Sequence, residues 1–309
     1  MKRIVILNPK SRHGLARKAF ENRKPELIRD LGELEIYYTA GPKDCTEKVR
    51  SILLKKEYDQ ILIAGGDGSV NEAVNGYFQN GKLIKTKIPI GIINLGTGGD
   101  FIKAIKKRTK NYRQALIDNS YKLIDCGVTA LDKAKDPIYF INITSIGMGG
   151  EVNRQLKESS FQMGIAAYFY HTLSVLYKYD PPKCKIRYKS PDGNWNEFEA
   201  GLTNLFVCNS EYNGGGMWWA PKANLEDGIF DVVLVPDVSK LKLVATSHKV
   251  YTGKASTMPG VKEFQATEII VSPERTVSQE IDGEVREIDF LKKHDFYFKI
   301  IPKSIPVIM

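Results

Sequence analysis

The first third of the chain alternates apolar runs with amphipathic stretches. The apolar runs predict strands at 3–8, 33–39, 59–66 and 88–94. The stretches between them predict helices at 14–31, 46–56 and 69–78, the first interrupted near Pro25. Continuous apolar strands separated by helices are typical of a parallel sheet covered on both faces. The pattern therefore predicts an α/β domain of nucleotide-binding type.

The pattern changes after about residue 125, where short strands follow one another with turns between them. Pro191–Asn194, PDGN, is a hairpin signal, and one long helix is predicted at about 151–177. The second part is therefore expected to be mostly antiparallel, a β-sandwich or partial barrel. The predicted domains are 1–126 and 127–285, and a C-terminal segment, about 286–309, could return to the first.

Composition fits a globular protein with a large core. Among 309 residues, the four cysteines are scattered, which favours buried thiols in a reducing compartment over a zinc site. The start of the chain lacks the long apolar region of a signal peptide, so a cytoplasmic location is expected. Residues 159–177 contain no Asp, Glu, Lys or Arg, but they are too polar to span a membrane.

The net charge of +9 includes basic clusters at 82–87 and 103–110. These clusters are either a solvated face or a surface that attracts anions. No nucleic-acid module is visible, so an anionic membrane bound peripherally is the expected partner and nucleic acid is not. The sequence leaves the oligomeric state open.

Three glycine or Asn-Pro turns follow predicted strands. In Gly65–Gly68, GGDG, the glycines let main-chain amides approach an anion, and Ser69 is a predicted N-cap. No Gly-Lys-Ser/Thr follows, so this is not a Walker A loop. Asp67 would repel phosphates unless a divalent cation lay between them, which indicates Mg²⁺ with a nucleotide.

The second turn is Asn94–Phe101, NLGTGGDF, in which Thr97 offers a hydroxyl to a phosphate and Asp100 is a predicted helix cap. The third is Asn8–Gly14, where Ser11 is a weaker phosphate candidate. Turns of this kind gather at the carboxyl ends of parallel strands, where α/β proteins bind ligands.

A fourth segment, Gln279–Val285, contains an Asp282-Gly283 turn between possible strands. A plain surface hairpin explains this pattern. Glu284 becomes a candidate base if the loop faces the phosphate turns.

Taken together, these motifs resemble the diacylglycerol kinase catalytic-domain family, in particular the bacterial soluble lipid kinases. The resemblance rests on GGDGSVNEAVNG after a strand, a G-T-x-x-D turn, N-P-x-S near the start, Tyr212–Val233 and a late D-G-E. It spans nearly the whole chain with the motifs in order. The resemblance implies an ATP-binding α/β domain, a β-rich domain, and an active site in the cleft between them.

The resemblance also implies roles for individual residues. Those that would contact ATP are Asn8, Pro9, Lys10, Ser11, Arg12, Thr39, Gly65, Gly66, Asp67, Gly68, Ser69, Val70, Asn71 and Thr97. Glu284 would be the general base, and Asp67 and Asp100 would organise the catalytic metal and the phosphates. Asp125 matches a further acidic position at the domain junction. Asn224, Asp227 and the Ile229 carbonyl would form a structural Mg²⁺ site.

Three positions depart from the family pattern: Gly99 stands where Asn is usual, Asn94 where Pro is usual, and Arg12 where Gly is usual. The predicted activity is phosphoryl transfer from MgATP to a lipid hydroxyl such as that of diacylglycerol. The alternatives are another acceptor, such as a sphingoid base, phosphatidylglycerol or a soluble metabolite, and a nucleotide-binding regulatory protein with little catalysis.

Overall fold

The structure, a computed structural model, describes residues 1–11, 14–95, 99–132, 135–159 and 164–309. The chain divides into two compact units. The first unit comprises residues 1–126 and 301–309, and the second unit comprises residues 127–300.

The first unit is built on a parallel sheet. Its elements in chain order are β1 (Arg3–Leu7), α1 (Ala16–Leu31), β2 (Leu34–Tyr38), α2 (Asp44–Lys55), β3 (Gln60–Gly65), α3 (Asp67–Gly76), β4 (Phe78–Gln79), β5 (Lys82–Leu83), β6 (Ile90–Asn94), α4 (Asp100–Arg108) and α5 (Tyr112–Asp118). Two strands, β7 (Tyr121–Leu131) and β20 (Phe296–Ile308), have residues in both units. The parallel order is β2–β1–β3–β6–β20. Strands β1 and β3 are buried throughout, as expected for strands covered on both faces.

The second unit is mostly antiparallel. Its elements are β8 (Lys135–Phe140), β9 (Ile143–Gly147), α6 (Met148–Glu158), α7 (Gly164–Lys178), β10 (Lys183–Lys189), β11 (Trp195–Gly201), β12 (Asn204–Cys208), β13 (Tyr212–Asn213), β14 (Met217–Trp218), β15 (Phe230–Val235), α8 (Lys240–Thr246), 3₁₀ turns at Ser247–Thr252 and Ala255–Thr257, β16 (Lys262–Ala266), β17 (Glu268–Pro273), β18 (Gln279–Ile281) and β19 (Glu284–Val285). The order β16–β15–β12–β9–β18–β19 forms one antiparallel sheet. A second antiparallel set contains β11, β10, β17 and the start of β20.

Both faces of the six-stranded sheet are apolar. Along β12, Leu205 and Val207 belong to the core between the two sheets, whereas Phe206 and Cys208 belong to a core on the opposite face. This alternation follows from the period of two along a strand. The opposite-face core includes Leu176 of α7 and Leu243 of α8, so these helices form a third layer.

These observations confirm the predicted fold class, a parallel α/β part followed by an antiparallel β-sandwich. The Pro191–Asn194 turn is also confirmed, because it joins the antiparallel pair β10 and β11.

The prediction of one long helix at about 151–177 is wrong. The structure has two helices, α6 and α7, because Ser159 leaves the helical region with φ −83° and ψ 147°. Serine favours such positions because its hydroxyl competes for main-chain hydrogen bonds.

The predicted interruption near Pro25 is wrong as well, since α1 continues through this residue. Its buried residues, Phe20 before the proline and Leu27 and Leu31 after it, pack into the core. This packing outweighs a local cost of about 3 kcal/mol for an internal proline.

The four cysteines, all within the described residues, are buried and form no disulfide with one another, as predicted. Burial raises the pKa of the Cys184 thiol to about 11 and that of the Cys45 thiol further. Within the described part of the chain, each helix is too short or too polar to cross a bilayer.

Candidate active site

The ends of β1 and β3 bring five of the predicted nucleotide contacts together. The Asn8 amide donates to Ser69 Oγ over 3.5 Å, and Asn8 Oδ1 accepts the Lys10 N–H over 3.0 Å. A Cβ added to Gly65 would lie 2.7 Å from Ser69 Cβ and 3.5 Å from Ser11 Oγ. Only glycine therefore allows Ser69 to approach the end of β3 so closely, and Ser11 lies at ordinary contact distance from the same point.

Helix α3 begins two residues earlier than the sequence suggested. Gly66 is the N-cap, its carbonyl accepts the N–H groups of Ser69 and Val70, and Asp67 is the first helical residue. The predicted N-cap role of Ser69 is therefore wrong, since Ser69 lies inside the first turn. The helix N-terminus at this strand end provides partial positive charge and main-chain donors for an anion.

The Asp67 carboxylate caps a different helix from its own. It accepts main-chain N–H groups of Gly99 at 3.0 Å, Asp100 at 3.1 Å and Phe101 at 3.3 Å. These are the first N–H groups of α4, which otherwise lack helical partners. The predicted cap role of Asp100 is therefore wrong: Asp100 is the first residue of α4, and Asp67 is the cap.

The two departures at positions 94 and 99 are in contact with one another. Gly99 has φ +78°, and a Cβ added there would lie against the Asn94 amide, 3.0 Å from its Cγ, and 3.1 Å from Ile102 Cγ2. A side chain at 99 is therefore disfavoured both by conformation and by Asn94.

The remaining predicted nucleotide contacts occupy varied positions. Thr39 follows β2 and donates its N–H to the Leu7 carbonyl, whereas the Val70 side chain is core. Pro9 lies in the turn after β1, and Gly68 and Asn71 lie on α3. Arg12 and Thr97 lie outside the described residues, so their roles stay predictions.

Asp125 is fully buried on β7, and its Oδ1 accepts the Lys303 N–H over 2.7 Å. This bond fixes the end of β20 within the first unit. Its predicted catalytic role stays a prediction.

The Asp282-Gly283 turn connects β18 to β19, as predicted. Asp282 has φ +48°, and its buried carboxylate accepts the N–H groups of Ile141, Asn142 and Ile143 at 3.0–3.1 Å. These charge-assisted bonds hold the strained turn in place. Glu284, the predicted base, follows the turn and is exposed to solvent.

Glu280 is a second carboxylate in this hairpin, which the sequence reasoning missed. It is buried and accepts the Gly283 N–H at 2.7 Å, the Asn213 amide at 3.1 Å and the Ser145 hydroxyl at 3.1 Å. Desolvation, with a smaller contribution from Asp282, raises its pKa to about 7 despite these hydrogen bonds. Glu280 points to the opposite face from Ile281, and it is buried there because α6 packs on this strand.

An apolar cavity of about 840 Å³, including space open to solvent, lies in the third layer of the second unit. Its lining combines α7, α8 and the outer face of the six-stranded sheet, with residues such as Leu173, Leu243, Phe206 and Trp219. Glu280 also lines it, so the cavity reaches the strand that leads into the D-G-E turn.

The predicted structural metal residues lie in one loop before β15. Asn224 Oδ1 accepts the Glu226 N–H at 3.2 Å, and Asp227 Oδ1 accepts the Ile229 N–H at 3.1 Å. The atoms that would bind the metal are all oxygens, which suits a hard cation such as Mg²⁺. The described residues contain no cluster of three or more His, Cys, Asp or Glu side chains that could hold a metal.

Two family models match the chain. The diacylglycerol kinase catalytic domain matches residues 2–129, and the YegS C-terminal NAD kinase beta sandwich-like domain matches residues 142–309. Because the second match covers more than half of the chain, the protein belongs to the family that has this YegS C-terminal domain, and its first part is similar to the diacylglycerol kinase catalytic domain. This confirms the resemblance drawn from the motifs.

Individual relatives agree with this assignment. The diacylglycerol kinase of Mycobacterium tuberculosis H37Rv is 27% identical over 271 residues, covering 86% of this chain and 84% of its own. The diacylglycerol kinase of Bacillus subtilis 168 is 25% identical over 312 residues, covering 98% of each.

Solved structures support the fold. A diacylglycerol kinase from Bacillus anthracis Sterne has a TM-score of 0.66 at 21% identity, covering 99% of this chain and 96% of its own. Yeast NADH kinase has a TM-score of 0.52 at 13% identity, covering 99% and 82%.

We predict that Glu280→Gln changes how stability depends on pH. The folded state raises the pKa of Glu280 from 4.5 to about 7, so it binds this proton more tightly than the unfolded chain. Wild-type stability should therefore fall as pH rises from about 4.5 to about 7, by up to roughly 3 kcal/mol. The variant should lack this decline in urea unfolding at pH 5 and pH 8.

The control for this experiment is Glu284→Gln, which changes an exposed carboxylate of the same hairpin. It should keep the wild-type difference between the two pH values. Identical pH dependence in wild type and Glu280→Gln would contradict the prediction.

Proposed function

We propose that this protein is an ATP-dependent lipid kinase that transfers the γ-phosphate to the hydroxyl of a lipid such as diacylglycerol. The apolar cavity of the second unit is the observation that supports a lipid as the acceptor. This cavity reaches the strand next to the D-G-E turn. A soluble, polar acceptor would gain little from walls of this character.

The first unit would bind the nucleotide at the carboxyl ends of its parallel strands. Ser11 and Ser69 lie against Gly65, and the N-terminus of α3 follows immediately. Main-chain amides and hydroxyls of this kind suit phosphate oxygens. Arg12 and Thr97 are proposed as further phosphate contacts.

Magnesium fits the oxygen donors of the first unit. Mg²⁺ is usually held by one or two carboxylates together with phosphate oxygens and waters. Asp67 and Asp100 would hold it, and the ion would neutralise charge on the phosphates. Asn224, Asp227 and the Ile229 carbonyl are proposed to hold the structural ion in the second unit.

Glu284 would accept the proton of the lipid hydroxyl as that oxygen attacks the γ-phosphorus. Its exposure leaves the carboxylate accessible to a substrate, and Asp282 and Glu280 hold the turn that presents it. Transfer proceeds with charge spread over the phosphoryl oxygens, which main-chain amides stabilise. Proton acceptance by a positioned group contributes about 10²–10⁴-fold in rate.

A panel of acceptors with labelled ATP tests this proposal. Diacylglycerol, a sphingoid base, phosphatidylglycerol and soluble polyols would be compared under identical conditions. Labelled lipid in the diacylglycerol reaction supports the proposal. If only another acceptor becomes labelled, that acceptor is the substrate and diacylglycerol is not. ATP binding without any transfer would favour a regulatory protein.

We predict that Glu284→Gln lowers transfer by at least about 10²-fold while ATP still binds, because the amide cannot take up the hydroxyl proton. Transfer would be followed with labelled ATP, and nucleotide binding by calorimetry. Glu287→Gln, a charge change two residues beyond β19, is the control and should retain activity. Undiminished turnover in Glu284→Gln would remove this residue as the base.

We predict that Asp67→Ala has two separable effects. Loss of the cap on α4 should lower the free energy of unfolding by about 1 kcal/mol in the absence of nucleotide. The Mg²⁺ concentration needed for half-maximal transfer should rise by at least about tenfold. Urea unfolding and a Mg²⁺ titration measure the two effects.

Asp192→Ala is the control, because Asp192 accepts the Asn194 N–H in the β10–β11 turn and is not a predicted metal ligand. It should affect stability alone. Unchanged Mg²⁺ dependence in Asp67→Ala would show that Asp67 is a capping residue only.

The rim of the cavity is proposed to contact an anionic membrane. Tyr177 at the end of α7 and Leu241 of α8 are 82% and 83% exposed. The Lys240 ammonium donates to the Tyr177 carbonyl at 2.7 Å, which joins the two helices, and Lys178, Lys240 and Lys242 are all exposed. Exposed apolar side chains flanked by lysines suit the interface of an anionic bilayer.

We predict that Leu241→Asp weakens binding to vesicles containing phosphatidylglycerol by about tenfold or more, because it removes an inserting leucine and adds a negative charge. Phosphorylation of a short-chain lipid in solution should change little. Ile28→Asp alters an exposed apolar side chain of α1 in the first unit and should bind as wild type does in vesicle co-sedimentation. Equal binding by Leu241→Asp would show that this rim does not meet the membrane.

A further inference from the structure

Two N–H donors in the wall of the apolar cavity lack an acceptor. Asn204 and Trp219 both line the cavity and are 3% and 7% exposed. Asn204 Nδ2 and Trp219 Nε1 have no hydrogen-bond partner in the part of the chain that the structure describes. Buried polar groups are nearly always paired, so two such donors in one cavity indicate a ligand with acceptor atoms.

The orientation of the Asn204 amide is fixed by a neighbour. Its Oδ1 accepts the Gly149 N–H at the start of α6 over 2.9 Å. Reversing the amide would turn its NH₂ group toward another donor, so Nδ2 cannot take up that bond.

The Trp219 ring is fixed by stacking. It lies on Phe206 with ring centroids 3.8 Å apart and an interplanar angle of 22°. Phe206 comes from β12, the strand that begins with Asn204. Buried Trp side chains usually find an acceptor for the indole N–H, and a rotation of this ring would disturb the stack.

Other polar side chains of the lining make their bonds within the protein. The Thr203 hydroxyl donates to the Pro236 carbonyl, and the Ser247 hydroxyl donates to the Val244 carbonyl, both at 2.8 Å. The Asn213 amide donates to Glu280. Asn204 and Trp219 therefore differ from these lining residues, because each has an N–H donor available to a bound ligand.

We propose that Asn204 and Trp219 recognise the ester carbonyl oxygens of an acylglycerol whose chains occupy the cavity; this rests on the proposed lipid kinase function. A carbonyl oxygen is a strong acceptor with two lone pairs, and it stands next to an acyl chain, which matches polar donors on an apolar wall. A sphingoid base would place an ammonium, which only donates, against these two donors. An ether-linked lipid offers only a weaker acceptor at the same position.

The test compares two lipids that differ only at these oxygens, 1,2-dioctanoylglycerol and 1,2-di-O-octylglycerol. Both have the same free hydroxyl and the same chain length. Binding without ATP would be measured by calorimetry, and phosphorylation would be measured separately with labelled ATP. Wild type should bind the ester about three- to tenfold more tightly than the ether, the size expected for a neutral hydrogen bond.

Trp219→Phe keeps an aromatic ring and removes the N–H, so its ester preference should fall to about twofold or less. Trp218→Phe is the matched control, because the Trp218 indole donates to Glu211 and Trp218 does not line the cavity. It should retain the wild-type ratio. Asn204→Asp keeps an oxygen for the Gly149 N–H, loses the NH₂ group and serves as the second variant.

Equal affinity of wild type for the two lipids would overturn this assignment, as would an unchanged ratio in both Trp219→Phe and Asn204→Asp. Failure of the kinase proposal looks different, because the ester would bind preferentially while neither lipid is phosphorylated. Conversely, if both lipids bind equally and are phosphorylated equally, the protein is a lipid kinase and Asn204 and Trp219 do not recognise the ester carbonyl.

Discussion

Main-chain N–H groups that are buried at the ends of helices and strands must find acceptors, and in this protein carboxylates supply them at both candidate turns. Asp67 accepts three N–H groups at the start of α4, and Asp282 accepts three from residues 141–143. Each carboxylate joins segments that are distant in sequence. The glycine turn after β3 and the D-G-E hairpin therefore hold their shape through charge-assisted bonds.

The same hairpin separates two glutamates into opposite environments. Glu280 is desolvated and its pKa is raised to about 7, whereas Glu284 stands in water four residues later. The buried residue accepts the Gly283 N–H and so fixes the turn from inside. The exposed residue is left accessible for chemistry. One short antiparallel pair thus provides both a buried support and the exposed carboxylate proposed as the base, and the difference arises from burial against α6.

Local features of the sequence predicted most of the fold. Apolar runs separated by helical stretches gave the parallel α/β part, and turn residues such as Asp192 and Gly193 gave the hairpins, because these signals depend on neighbours in sequence. The partner of Asp67 could not be predicted, because its bonds join residues 32 to 34 positions apart. The same holds for Glu280, Asn204 and Trp219, whose burial depends on helices packing on a distant sheet. Tertiary packing also carried α1 through Pro25, against local propensity.

The paired departures at 94 and 99 show how two exceptions to a sequence pattern can accommodate one another. Gly99 adopts φ +78°, a region that glycine enters without strain, and the Asn94 side chain occupies the space where a Cβ at 99 would lie. An asparagine at 99 would need Asn94 to move, and a proline at 94 would free that space. The two positions are thus coupled sterically, and a change at one alters what the other can hold. Because Asp67 accepts the main-chain N–H of Gly99, this bond of the α4 cap needs the backbone conformation at 99 but no particular side chain there.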